Sequence, residues 1–147
     1  MPARTSAPLG AVLCLAVASI THAAVVRPVV DGTGLRRAAG DLAEDVFRVT
    51  GVRPALSTMG PAPSTKDDVA SDIVIVGIAG RSAILDRLAK SGRIDLARLR
   101  GQWEASTISV VLKPWRGVER AVVVAGSDKR GAIYGVYDLS EAMGVSP

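Results

Sequence analysis

In this 147-residue chain the polar side chains best spaced to act together lie between two glycines, in Gly126-Ser127-Asp128-Lys129-Arg130-Gly131. A hydroxyl, a carboxylate and two cations follow one another where a β-branched run gives way to a helical stretch. Acid and base side chains at a strand end can hold a ligand, or can fasten a domain to a neighbour through charge-assisted hydrogen bonds. Lys129 precedes the second glycine and no Lys-Ser/Thr pair follows, so the segment is not a phosphate loop. The reading taken is a domain interface made by Ser127, Asp128, Lys129 and Arg130, joined by Tyr134, which lies off the apolar stripe of the following helix. Amphipathic tyrosines suit interfaces.

Two other glycine turns invite the same question. Gly32-Thr33-Gly34 has the spacing that opens a dinucleotide-binding turn, where glycines let the backbone approach a pyrophosphate at a helix N-terminus. Arg37 stands where the third glycine belongs, and a tight strand-to-helix turn demands the first two in any case. Gly77-Ile78-Ala79-Gly80-Arg81-Ser82 is a second such turn whose free N–H groups could hold an anion; a structural turn is the reading preferred. Paired carboxylates, the usual machinery for glycosidic cleavage, are not evident. Asp67 and Asp68 fall in a loop, Asp41, Glu44 and Asp45 on a solvated helix face, and Asp138 and Glu141 on the outer side of the last helix.

Composition narrows the chemistry further. Arg4, an apolar run from Leu9 to Ile20 and small residues up to Ala23 have the order of a secretory signal peptide over residues 1–23, cut after Ala23 or one residue later. The run is shorter than the roughly 20 residues a membrane-spanning helix needs, so no membrane anchor is expected after cleavage. Cys14 and His22, the one cysteine and the one histidine, both leave with the leader. An exported domain over residues 24–147 would then carry no disulfide, thiolate or imidazole, which excludes Ser-His-Asp and Cys-His catalysis and the usual zinc sites. No catalytic residue, metal or cofactor is assigned within it. The net charge of +4 falls by one with Arg4, and the basic residues are scattered among acids instead of lining one face with aromatics. Nucleic acid is therefore not an expected partner.

The elements that must position these residues follow from patterning. Val25–Val30, with Pro28 inside, reads as an edge strand. Leu35, Ala38, Ala39, Leu42, Val46 and Val49 recur at helical spacing up to Gly51. Arg53–Ser57 reads as a short strand and Thr58–Ser71 as a loop around Pro61 and Pro63. Asp72–Ile78 is a continuous apolar run of the kind buried on both faces of a sheet. Ser82 caps a helix carrying Ile84, Leu85 and Leu88, stopped at Gly92. A helical turn and connector follow, anchored by packing of Trp103. Thr107–Leu112 and Ala121–Ala125 form an antiparallel pair, and Ala132–Met143 is a helix with Ile133, Val136, Tyr137 and Met143 inward. The expected fold class is α/β: a mixed sheet of about five strands with three helices, in the order β-α-β-β-α-β-β-α.

The stretch from Val122 through Gly126-Ser-Asp-Lys-Arg-Gly131 to Gly144-Val-Ser-Pro147 resembles the N-terminal domain of glycoside hydrolase family 115, the xylan α-1,2-glucuronidases. Gly77 to Ser82, Leu88 to Asp95, Gly101-Gln-Trp-Glu104 and Pro114 to Val118 extend the resemblance, which spans roughly Asp72 to Pro147. It implies an accessory α/β domain that precedes a catalytic (β/α)₈ barrel, in an exported enzyme releasing 4-O-methyl-glucuronic acid from xylan. The acids and uronate-binding residues of that family lie in the barrel, so none is carried over onto a position here. The expected partner is the barrel, and the expected activity of this stretch alone is nil. A periplasmic module capturing an acidic sugar or another small anion at the Gly80 or Gly126 turns is the alternative.

Overall fold

A computed structural model describes residues 24–28, 33–54, 56 and 72–145, with 24–28 and 33 as backbone. Along the chain run β1 (Ala24–Pro28), α1 (Thr33–Thr50), β2 (Asp72–Ile78), α2 (Ala83–Lys90), a 3₁₀ turn (Ala97–Leu99), β3 (Ser106–Leu112), β4 (Arg120–Gly126) and α3 (Lys129–Ala142). The expected signal peptide, the remainder of the first strand and the Thr58–Ser71 loop lie outside the described residues.

The strands form one mixed sheet in the order β1-β2-β4-β3. β1, β2 and β4 run parallel, and β3 closes the far side antiparallel to β4, with Ser106 opposite Gly126 and Leu112 opposite Arg120. Parallel neighbours need crossover connections, so helices must cover both faces and the inner strands must be apolar throughout. β2 meets that demand: all seven of its residues are buried. Val74, Val76 and Ile78 point with Val122 and Val124 towards α1 and α3, where Leu35, Leu42, Val46, Val136 and Leu139 complete one core. Ile73 and Ile75 point with Ala121 and Val123 the other way, onto Ile84, Leu85 and Leu88 of α2 and Leu99. Each such side chain fully buried contributes about 1.5–3 kcal/mol, so this two-sided packing of β2 and β4 dominates the fold.

The helices begin and end where local chemistry directs. Ser82 Oγ accepts from Leu85 N at 3.3 Å and caps α2. The helices stop at Gly51, Gly92 and Gly144, with φ of +73°, +69° and +88°, the left-handed conformation that suits a residue without Cβ. The antiparallel pair, the edge position of Pro28, the doubly buried β2 and the three helices agree with the expectations from sequence.

Other expectations are corrected. The sheet has four strands among the described residues, in the order β-α-β-α-β-β-α. Arg53 and Pro54 are not in a strand and Leu56 is an isolated bridge residue. Arg53 instead reaches back onto α1, bonded to Glu44 at 2.6 Å with its guanidinium 4.5 Å from the Phe47 ring centre, and Pro54 has no N–H for a ladder. Trp103 is 89% exposed and packs no core. Val49 and Tyr137 are likewise exposed instead of facing the core. The last helix begins at Lys129, three residues before the expected start, because Asp128 caps it.

Candidate functional site

The C-terminal ends of β2 and β4 lie side by side, continued by Ala79 N donating to Gly126 O at 2.9 Å. The polar cluster that follows β4 sits there, and most of its atoms are engaged within the domain. Asp128 Oδ1 accepts from Gly131 N and its Oδ2 from Glu104 N, each at 2.8 Å. One carboxylate thus caps α3 and clamps the segment ahead of β3. These two backbone bonds, the Gly131 bond first, hold the Asp128 carboxyl below its ordinary pKa. Ser127 completes the clamp: its Oγ accepts from Ala105 N at 3.0 Å, and its own N donates to Ala105 O at 2.8 Å. Arg130 Nη1 closes the outside with a 2.7 Å bond to Glu104 Oε1.

The glycines of this stretch answer to close packing. A methyl on Gly126 would fall 2.6 Å from Ala132 Cα and 2.7 Å from Asp128 O, so the strand-to-helix turn closes only over a bare Cα. A methyl on Gly131 would fall 2.9 Å from Ala105 C, and one on Gly135 would fall 2.8 Å from Val124 Cγ1 and 2.9 Å from Ser106 Cβ. These approaches seat α3 on β4 and on the start of β3. Lys129 turns the other way and lies over Gly34 at the start of α1, where a methyl would be 2.9 Å from its Nζ.

Of the five residues expected at an interface, Ser127 and Asp128 therefore have their oxygens committed inside the domain. Arg130, with its side chain 73% exposed, and Tyr134, 47% exposed, face solvent, as does Lys129. The residue that sequence reasoning missed is Trp103. It lies on the clamped segment immediately before Glu104, whose φ of +53° is left-handed and sterically costly for a residue with a Cβ. Bonds from Glu104 and Ala105 fix the backbone on one side of this exposed indole. The signal was available in Gly101-Gln102-Trp103-Glu104, where a lone aromatic sits among turn and polar residues without apolar periodicity.

Carboxylates of α1 are engaged locally. At the other end of α3, Tyr137 Oη donates to Asp41 Oδ2 at 3.0 Å, beside a hollow of ≈ 270 Å³ that Asp45 and Ser140 also line. That bond, helped by partial burial, raises the Tyr137 pKa. Glu44 is bonded to Arg53 and Asp45 is 3.5 Å from Arg48, so each acid of this group has a partner. Asp138 and Glu141 are exposed on α3. Among the described residues no cluster of three or more His, Cys, Asp or Glu could hold a metal ion, and no helix is long and apolar enough to cross a membrane. No protein-family model matches the chain, and no curated protein matches it either.

Proposed function

We propose that this chain is the non-catalytic N-terminal domain of an exported glycoside hydrolase resembling the family 115 xylan α-1,2-glucuronidases, and that its partner is the catalytic (β/α)₈ barrel of that enzyme. Alone it hydrolyses nothing; with the barrel it belongs to a protein releasing 4-O-methyl-glucuronic acid from glucuronoxylan. One observation carries the reading: the residues that bear the resemblance, Gly126 to Gly135 and Gly101 to Glu104, meet in a single clamp that holds Trp103 outward. A segment held by these bonds and carrying an exposed indole, with Arg130 bonded to the adjacent Glu104, has the composition of an interface anchor. Arg130 and Tyr134 stay as expected contacts, and Trp103 takes the place of Ser127 and Asp128.

The test mixes the purified full chain with a separately expressed family 115 barrel and follows their association by sedimentation, with glucuronoxylan hydrolysis assayed in parallel. Association that Trp103→Ala weakens at least tenfold, with no uronic acid released by the chain alone, is the expected outcome. Release of uronic acid by the chain alone, or an affinity indifferent to Trp103, overturns the reading.

A further inference from the structure

Chain direction creates an opening on the face away from α1 and α3. From neighbouring parallel strands, β2 leads to α2 on one face of the sheet and β4 leads to α3 on the other. Ligands of open α/β sheets bind in the crevice left where connections diverge in this way, beyond the carboxyl ends of the strands. A cleft of ≈ 430 Å³ lies there, walled by Ala79 and Gly80 after β2, Ser127 after β4, one side of α2 and the segment from Leu96 to Gln102. Its size is that of a small-molecule site.

The lining is chemically mixed in a specific way. Lys90 and Arg100 bring two cations, and among the described residues neither has an ion-pair partner. Asp86, half-buried, brings one carboxylate to the same cleft. A bare anion would be drawn by the cations and repelled by Asp86. A neutral polyol would leave the cations idle. A carboxylate that also bears hydroxyls uses both, with its charge on Lys90 and Arg100 and its O–H groups donating to Asp86. Gln102 offers a donor and an acceptor, and Ser127 Oγ, which accepts from Ala105 N, keeps its own proton to donate. Leu96 and Leu99 supply apolar wall for the C–H side of such a molecule. We propose that this cleft binds a small polyhydroxylated carboxylate, its charge held by Lys90 and Arg100 and its hydroxyls by Asp86. The site goes beyond the accessory-domain reading and stands whether or not a barrel docks at Trp103.

The full chain, labelled with ¹⁵N, is titrated with sodium glucuronate, sodium gluconate, glucose and sodium acetate. Glucuronate is expected to move the amide signals of Gly80, Gly101, Gln102 and Ser127 and to saturate in the millimolar range, on the order of 1 mM. Gluconate separates an open-chain hydroxy acid from a sugar ring, and binding of either one supports the site. Glucose and acetate at equal concentration should leave those signals without a saturating shift. Lys90→Gln with Arg100→Gln, both exposed positions, should weaken binding at least tenfold while signals elsewhere keep their places. Asp86→Asn should narrow the preference for glucuronate over acetate. Equal binding of acetate and glucuronate, no saturation of either hydroxylated acid by roughly 20 mM, or an unchanged affinity in the double variant overturns the proposal.

Discussion

Replacing Gly131 by Ala tests the seat of α3 directly, with Gly40→Ala as its control. Both glycines are helical, and alanine in a helix gains up to about 1 kcal/mol over glycine. At Gly40 an added methyl meets nothing within 4 Å, so that gain stands, and Gly40→Ala should stabilise by about 0.5–1 kcal/mol. At Gly131 the methyl meets the Ala105 backbone, 2.9 Å from its C and 3.0 Å from its N. Backbone cannot turn aside as a side chain can. Overpacking of a tight core costs about 1–3 kcal/mol even where side chains yield. A retreat of Ala105 also lengthens its two bonds to Ser127, each worth about 1 kcal/mol net. Set against the propensity gain, Gly131→Ala should destabilise by about 3 kcal/mol, a fall in Tm of more than roughly 10 °C for a domain of this size. Thermal unfolding followed by circular dichroism, with urea midpoints alongside, reads both variants. A Gly131→Ala protein melting at or above the parent would refute the close approach of α3 to Ala105.

The Asp72–Arg120 pair, bonded twice at 2.8 Å, has a nearly buried carboxylate and a guanidinium 38% exposed, so its two halves should respond unequally. Arg120→Ala strands the buried charge and should cost about 3 kcal/mol, whereas Asp72→Ala leaves an arginine that water can reach and should cost about 1 kcal/mol; equal urea midpoints would contradict this. Asp128 has a folded-state pKa below its reference of 3.8, so its stabilising contribution is present above that value and is lost as pH falls through the folded value. The stability difference between the parent and Asp128→Asn should therefore shrink on acidification from about pH 5 to about pH 2, and a constant difference would count against the clamp. Tyr137 has the opposite sign: its pKa is raised above 10.0, so its contribution is present below that value and is lost as pH rises through the folded value. Alkaline unfolding of Tyr137→Phe should lack that loss, and urea midpoints between about pH 9 and pH 12 decide the matter.

The parts of the fold legible in sequence were those governed by one local pattern. The unbroken Asp72–Ile78 run announced a strand covered on both faces, and Ser82 announced a helix start. Positions that depend on where one element ends against another were not legible. Helical spacing put Val49 on the apolar stripe of α1, yet it is exposed, in the last turn of an 18-residue helix about 27 Å long that outruns a seven-residue strand of about 23 Å. Tyr137 followed the stripe of α3 in the same way, and only the neighbouring α1 offers the Asp41 that its hydroxyl meets. Gly131 looked like a boundary before the helix; Ala105, 26 residues earlier, is what requires it inside the helix. The site was legible as a cluster of residue types, but their division into clamp and exposed surface depends on Glu104 and Ala105, which are remote in sequence.

The Asp72–Arg120 pair also bears on uniqueness. Ile73-Val74-Ile75-Val76 lies beside Ala121-Val122-Val123-Val124, two ribbons so uniformly apolar that a slip of one residue would still bury hydrocarbon on both faces. Hydrophobic pattern alone barely distinguishes one alignment from the next in such strands. Asp72 and Arg120 stand opposite each other on the first rung of this ladder. A one-residue slip turns the Asp72 side chain and its partner to opposite faces and leaves a buried carboxylate without a counter-charge, at a cost of several kcal/mol. The pair therefore acts as an index mark: it adds little to the strength of the sheet, and it removes the degeneracy among alignments that the valines and isoleucines would otherwise accept equally.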